Sequence, residues 1–373
     1  MKIALVVPGG VDRSGEQRVV PALLALIKRL AARHEVHVYA LRQEAEPGHW
    51  PLLGAQVHNI GGRSARLGLL RAVAAIRVEH RVAPFDLLQA IWSGRCGLVA
   101  VLAARLLGLP SAVHLAGGEL VAIESVGYGG RLGWRGRWRE ALVLRAATRL
   151  TAASAPMLDQ LAALGHAAQR IPLGVDLDTW PARAPQARDP QAPLRLIHVA
   201  SINRVKDPIT LMYAAAMLPR MGLDFFHLDI VGEDTLGGQI QALASRLGIA
   251  DKISFHGFLT RAQLRPVLDR AHVHVVTSLH EAGPLALLEA AVAGVPSVGT
   301  RVGHLVEWAG EAALAVNVGD AQGLAFAIAQ FGGDEGLRLR LAREAQARAL
   351  RQDADHTAAL MEALFAGLLV PGR

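Results

Sequence analysis

The chain is 373 residues long, 52% hydrophobic and 19% charged, a length that suits two domains and a composition that excludes disorder. Its one cysteine, Cys96, excludes an internal disulfide framework; no apolar run reaches the roughly 18 residues of a membrane-spanning helix, and the opening MKIALVVPGG is too short for a secretory signal, so a cytoplasmic protein is expected. Residues 1–180 carry 21 Lys+Arg against 13 Asp+Glu while residues 181–373 carry 18 against 19, so the basic half is expected to meet something acidic: phosphorylated substrate, anionic lipid or nucleic acid.

Residues 2–8, KIALVVP, form a short β-branched run closed by glycines, hence a strand entering a loop. A helical pattern follows over 18–33, and HEVHVYA (34–40) is again strand-like. VHNI, a helix near 67–82, DLLQA, a helix near 96–108 and SAVHLA continue the alternation. A second round opens at LRLIHVAS (194–201) and a helix over 209–218. Then come FHLDIVG, a helix over 237–247, KISFHG, a helix over 260–270, HVHVVTS, a helix over 285–293 and PSVGT. Strands alternating with helices in this way predict βαβ units and parallel sheets.

The two series are separated by LGVDLDTWPARAPQARDPQAP (173–193), which holds four of the 18 prolines and little apolar period. The expected organisation is an N-terminal domain over 1–175, a linker over 176–193 and a C-terminal domain over 194–353. A last helix, 354–369, is free to pack back onto the first domain. Ligands of open α/β sheets bind beyond the carboxyl ends of the strands, so the expected site is a cleft between two facing domains.

The stretch SLHEAGPLALLEAAVAGVPSVGTRVG (278–303) places Glu281 and Glu289 eight positions apart in an otherwise apolar segment. Glu281 falls in the loop after a strand. Pro284 suits the first turn of the next helix, and Glu289 lies one and a half turns inside it. The free N–H groups of Leu285 and Ala286 would make an anion site, and Gly283 would let backbone approach a ligand. Leu287, Leu288, Ala290, Ala291 and Val292 leave Glu289 little solvent face.

This stretch resembles the signature of glycosyltransferase family 4: a Glu, seven residues, and a second Glu leading into an apolar helix and a GVP strand entry. The resemblance covers essentially the whole chain. It implies the GT-B fold, two Rossmann-like doubly wound domains facing across a cleft. It also places Glu281 at a donor sugar and Glu289 on the nucleotide ribose. EAGP stands where the family more often has Glu-Gly-aromatic-Gly.

Ser14-Gly15, in SGEQRVVP, takes the place of the family's Gly-Gly beside the donor diphosphate. HVASINRVKDP (198–208) is similar to the loop where an Arg and a Lys hold the phosphates. Lys206 matches the Lys, whereas the Arg position is Ser201, with Asn203 and Arg204 as substitutes. DIVGED (229–234), with Gly232, and ISFHGFL (253–259) resemble strand ends that cradle the nucleotide, and Phe258 and Leu259 are candidates for the base pocket or, for Phe258, the core. SAVHLAGGELVAI (111–123) is similar to the loop where many members carry a sugar-contacting His. Here Ala116 stands at that position and His114 two residues earlier, inside the strand. Glu119, after Gly117-Gly118, is a candidate for acceptor or sugar contact.

RLGWRGRWREALVLRAATR (131–149) holds six arginines, two tryptophans and one acid. At helical spacing Arg131, Arg135 and Arg139 share one face, and Trp134, Trp138 and Leu142 another. Such a stripe suits an anionic membrane surface or a phosphorylated lipid acceptor; the alternative is a surface helix with a half-buried Trp edge. No recognised nucleic-acid-binding module surrounds it.

The expected function is therefore retaining transfer of a sugar from a UDP- or GDP-linked donor to a lipid-linked, polysaccharide or small-molecule acceptor, in cell-envelope polysaccharide synthesis. Glu281, Lys206, Glu119 and His114 are the catalytic candidates. No cofactor and no metal are expected, Lys206 and helix N-termini supplying the positive charge. The location is expected to be cytoplasmic, with peripheral association at the inner membrane face left open. The alternatives are a GT-B epimerase of nucleotide sugars and a catalytically silent sugar-nucleotide-binding protein, the latter suggested by Ser201. A nicotinamide-dependent dehydrogenase is disfavoured because VVPGGVDRSG lacks the G-x-G-x-x-G spacing.

Overall fold

The computed structural model describes residues 1–62 and 64–370. The backbone divides into two compact units, one built from 1–176 with the segment from 352 onward, the other from Leu177–Arg351.

The first unit holds strands β1 Lys2–Val7, β2 Glu35–Ala40, β3 Gly48–Leu52, β4 Ala55–Asn59, β5 Leu87–Ile91, β6 Ser111–Leu115, β7 Arg149–Ala152 and β8 Gln169–Arg170. They lie in the order β3-β4-β2-β1-β5-β6-β7-β8. All pairs are parallel except β3 with β4. All six residues of β1 are buried, as a central parallel strand covered on both faces requires. Helices α1 Pro21–Ala31, α2 Ala65–Val82, α3 Gly94–Leu107, α4 Gly133–Ala146 and α5 Ala155–Ala163 complete the βαβ crossovers. The sequence reading has no counterpart of β3. Leu53 and Gly54 both take positive φ between β3 and β4, the backbone of a two-residue I′ hairpin, and Pro51 is tolerated because β3 is an edge strand.

The second unit holds β9 Leu194–Val199, β10 Phe226–Val231, β11 Ile253–Gly257, β12 Val273–Val276, β13 Ser297–Thr300 and β14 Ala313–Val316. Their order is β11-β10-β9-β12-β13-β14, all parallel. Helices α6 Pro208–Met217, α7 Gln239–Arg246, α8 Arg261–Leu268, α9 Leu285–Val292, α10 His304–Trp308, α11 Ala321–Gly333 and α12 Glu335–Arg351 accompany them. A Thr260–Gln263 capping box starts α8. Its core runs from Leu196 and Leu228 in the sheet to Leu211 of α6 and Phe331 of α11.

One boundary differs from the sequence reading. Residues 177–193, expected as a linker, pack onto the second unit. Trp180 is buried and donates Nε1–H to the Glu289 carbonyl at 2.9 Å. Arg188 bonds to Glu335 and to the Gly332 carbonyl. These are single polar anchors on an irregular chain, which carry no periodic signal. The last helix, α13 Ala354–Leu369, belongs to the first unit. Phe365 and Met361 join its core, Thr357 Oγ1 donates to the Pro172 carbonyl, and Arg29 bridges Asp176 and Asp355.

Candidate active site

In the second sheet the chain steps outward from β9 through β10 to β11, then returns to β12 and steps the other way. The carboxyl ends of β9 and β12 therefore flank the topological switch point, where open α/β sheets bind ligands. Lys206 comes from the loop after β9 and Glu281 from the loop after β12. Lys206 Nζ donates to Glu281 Oε1 at 2.5 Å, and Ser278 Oγ donates to the same oxygen at 2.6 Å.

The two loops are stitched by backbone. Leu279 N donates to the Val205 carbonyl, Thr277 Oγ1 to the Lys206 carbonyl and Thr300 Oγ1 to the Ser278 carbonyl. Asn203 Oδ1 accepts from Lys206 N and fixes a short 3-10 turn over Arg204–Lys206. Asp207 caps α6 through Thr210. The Lys206 and Glu281 side chains stay partly open to solvent, at 25% and 14%, so the pair is rigidly placed and accessible.

Helix α9 begins directly after this loop. Pro284 is its N-cap and no side chain caps it, so the amides of Leu285 and Ala286 keep the partial positive charge of an uncapped helix start. Gly283 lies against the ring of His304: a Cβ there would come within 2.8 Å of Nε2. The His304 Nδ1 is held by Glu307 at 3.1 Å. Glu289 is 9% exposed and its carboxylate has no hydrogen bond among the described residues. Burial pushes it up to about 7, with Arg261 pulling the other way.

Of the remaining donor candidates, Ser201 and Arg204 are exposed, and the Asn203 carbonyl oxygen is committed to Lys206 N. Gly232 has φ +150°, and a Cβ there would collide with the Ala200 carbonyl, so the ends of β9 and β10 close together only around glycine. Phe258 is 60% exposed and Leu259 half-buried. Core packing is thus not the role of Phe258.

The switch point of the first sheet lies between β1 and β5, and the loop after β1 carries Ser14 and Gly15. Asp12 organises it, accepting from Ser14 N and Ser14 Oγ and pairing with Arg18. Gly15 has φ +68° with open space around it.

Two catalytic candidates are corrected. Glu119 faces inward: its carboxylate accepts from the backbone amides of Ser93, Ala116 and Gly117 at 3.3, 3.2 and 2.7 Å. Burial pushes its carboxyl up and the amides oppose the shift. It shapes its own loop, and the adjacent glycines that suggested an open site are the residues that let the carboxylate fold back. His114 is wholly buried in β6, hydrogen-bonded to Thr151 Oγ1, and burial lowers it to about 3. It is a neutral core histidine.

In the Arg/Trp segment, α4 starts at Gly133, so Arg131 precedes the helix instead of continuing its face. Arg139 donates to the Gly130 carbonyl. Trp134, Trp138 and Arg135 are exposed, which replaces the half-buried Trp edge with an open one.

The sequence reading missed Ser278, His304 and the stitching threonines Thr277 and Thr300. For Thr277, Ser278 and Thr300 the signal available was small: polar residues at the ends of runs that otherwise read as apolar strands. One cluster among the described residues has metal-ligand geometry, Glu35, His37 and Glu79. The Lys2 ammonium takes its centre, 3.0 Å from Glu35 and 2.6 Å from Glu79.

Lys206, Glu281 and the uncapped start of α9 thus lie at the switch point of a Rossmann-like sheet, where open α/β sheets bind ligands and a free helix start favours an anion. Residues 19–174 match the family described as "Glycosyl transferase 4-like domain" and residues 182–348 the family "Glycosyl transferases group 1". The chain belongs to these family 4-type glycosyltransferases, and its fold is GT-B.

Among its relatives is the lipopolysaccharide core biosynthesis glycosyltransferase LpsE of Rhizobium meliloti. The two are 35% identical over 136 residues, 36% of this chain and 38% of LpsE; the match thus spans well under half of that relative's length. The sucrose-phosphate synthase of Thermosynechococcus elongatus superposes with a TM-score of 0.83 over 99% of both chains at 19% identity. The Anabaena HepE protein, solved in complex with UDP-glucose, superposes with a TM-score of 0.74 over 98% of this chain and 100% of that one at 18% identity.

Proposed function

We propose that the protein transfers a glycosyl group from a nucleoside-diphosphate sugar to a hydroxyl acceptor, with retention of configuration and without a metal. The observation that carries this reading is the convergence of Lys206, Glu281 and the bare start of α9 at the switch point. The UDP-glucose complex of the HepE protein supports the donor class. The name of the LpsE relative supports a cell-envelope saccharide as acceptor.

In the reaction the acceptor oxygen bonds to the anomeric carbon on the face the diphosphate leaves. The carbon–oxygen bond to the diphosphate breaks with both electrons going to the phosphate oxygen, and the hydroxyl proton passes to that same oxygen. The sugar develops oxocarbenium character and the diphosphate gains negative charge. Lys206 Nζ and the amides of Leu285 and Ala286 stabilise that charge more in the transition state than before it, which is what accelerates the step. On donor binding Lys206 turns from Glu281 to phosphate, freeing the Glu281 carboxylate to hold sugar hydroxyls. Glu289 takes the ribose hydroxyls with a carboxylate that has no hydrogen bond among the described residues.

The test is a melting-temperature screen against UDP-glucose, GDP-mannose and ADP-glucose, run with and without EDTA. One donor should stabilise the protein, by about 2.7 kcal/mol at a hundred times its Kd, and Lys206→Ala should reduce the shift. No response to any of the three, or a response that EDTA removes, would overturn the reading. The anomeric coupling constant of the product, read by NMR, decides retention.

A further inference from the structure

Helices α2, α3 and α4 pack side by side, in that order, on the first unit. Leu67, Leu70, Val78 and Val82 of α2 are all exposed, and Arg71, Arg77 and Arg81 are exposed between them. The spacing follows the helical repeat, so aliphatic and cationic groups share one outward face. The only acid of α2, Glu79, is bound to Lys2. Helix α3 has no acid and ends in exposed Arg105 and Leu106. On α4, Trp134 and Trp138 are 67% and 64% exposed one turn apart. The Arg135 guanidinium lies 5.2 Å from the Trp134 ring, and Arg137 and Arg145 are exposed. Glu140, the acid of α4, is fully buried against Ser93.

This layer therefore offers water five aliphatic side chains, two indoles and a set of arginines, with no exposed, unpaired acid among its described residues. Exposed apolar and cationic groups on three adjacent helices mark an interaction site. A second copy docking by two-fold symmetry would set arginine against arginine. A nucleic-acid backbone would answer the arginines but not the Leu/Val stripe. An anionic bilayer answers both: aliphatic groups enter the acyl boundary, indoles sit at headgroup level, and guanidinium groups meet lipid phosphates. We propose that the α2–α4 layer is a docking surface for an anionic lipid bilayer. The surface lies outside the loops assigned to glycosyl transfer, and the inference stands independently of that assignment.

The test is co-sedimentation of the full chain with vesicles of phosphatidylcholine alone and with about 30% phosphatidylglycerol. The chain should pellet with the anionic vesicles only, and about 0.5 M salt should release much of it. Replacing Arg71, Arg77 and Arg81 together by Gln should weaken partitioning about a hundredfold. Trp134→Ser with Trp138→Ser should weaken it and remove the blue shift of indole fluorescence on vesicle binding. All five positions are exposed, so the melting temperature, and any shift it shows with UDP, should stay as in the parent. Equal binding to neutral vesicles, no binding, or parent-like binding by both variants overturns the proposal. So does a finding that the same substitutions abolish self-association or nucleic-acid binding while vesicle binding is absent.

Discussion

Lys206 Nζ and Glu281 Oε1 lie 2.5 Å apart, although 75 residues of sequence separate them. Two neighbouring strand ends of opposite crossover direction bring them together. The pair is partly solvated, so its contribution to stability is small, about 0–1 kcal/mol. Its importance is positional, since each side chain holds the other at the place where the diphosphate and sugar are proposed to meet.

Glu281→Gln and Lys206→Ala should each lower turnover by about two to three orders of magnitude while the melting temperature moves little. The double variant should lose much less than the product of the two, because the groups act as a unit. Release of nucleoside diphosphate under saturating donor measures this. Near-parent turnover by Glu281→Gln would remove that residue from the mechanism.

Glu289 gives the second unit a pH signature. Its folded pKa, about 7, lies above the ordinary value of 4.5, so the folded state binds the extra proton between these limits. Stability should therefore fall as pH rises from about 4.5 to 7 and level off above, by an amount on the order of 3 kcal/mol. Glu289→Gln should flatten that part of the profile and be the more stable protein at pH 8. Urea unfolding across pH 5–8 reads the slope. The same variant should bind the nucleoside diphosphate more weakly by calorimetry, about tenfold to a hundredfold for a lost charged hydrogen bond. Unchanged affinity would count against the ribose contact.

The alternation of strands and helices was legible because buried parallel strands such as Ile3–Val7 read as unbroken apolar runs. Glu281 and Glu289 were legible as charge inside an apolar segment. What escaped was set by single contacts. Residues 177–193 look like a linker because Trp180 and Arg188 anchor them individually. Glu119 looks like an open-site acid because its three partners are backbone amides, which every residue possesses. His114 was ambiguous for the same reason: only burial separates a core histidine from a catalytic one.

Glu119→Ala distinguishes a loop clamp from a substrate contact. Removing the carboxylate leaves three amides short of a partner in a buried loop, at a cost of about 2–4 kcal/mol. Thermal or urea unfolding of the first unit should show that loss. Turnover by the folded fraction, measured well below the new melting point, should stay within about threefold of the parent. A large fall in turnover with unchanged stability would return Glu119 to the active site.

Gly283 and His304 make the most local test of the loop before α9. A methyl group at Gly283 would sit 2.8 Å from His304 Nε2, inside contact distance, and His304 is buried and held by Glu307. The ring cannot swing away without breaking that bond, so Gly283→Ala must push the loop and with it the start of α9. Overpacking of this kind costs about 1–3 kcal/mol, and displacing the amides of Leu285 and Ala286 should raise the Kd for the nucleoside diphosphate about tenfold or more. His304→Ala removes the obstacle. The double variant Gly283→Ala with His304→Ala should therefore recover affinity relative to Gly283→Ala alone, a coupling that calorimetry of the four proteins measures directly. Strictly additive effects would mean that the two residues do not constrain each other, and that the glycine serves only the backbone.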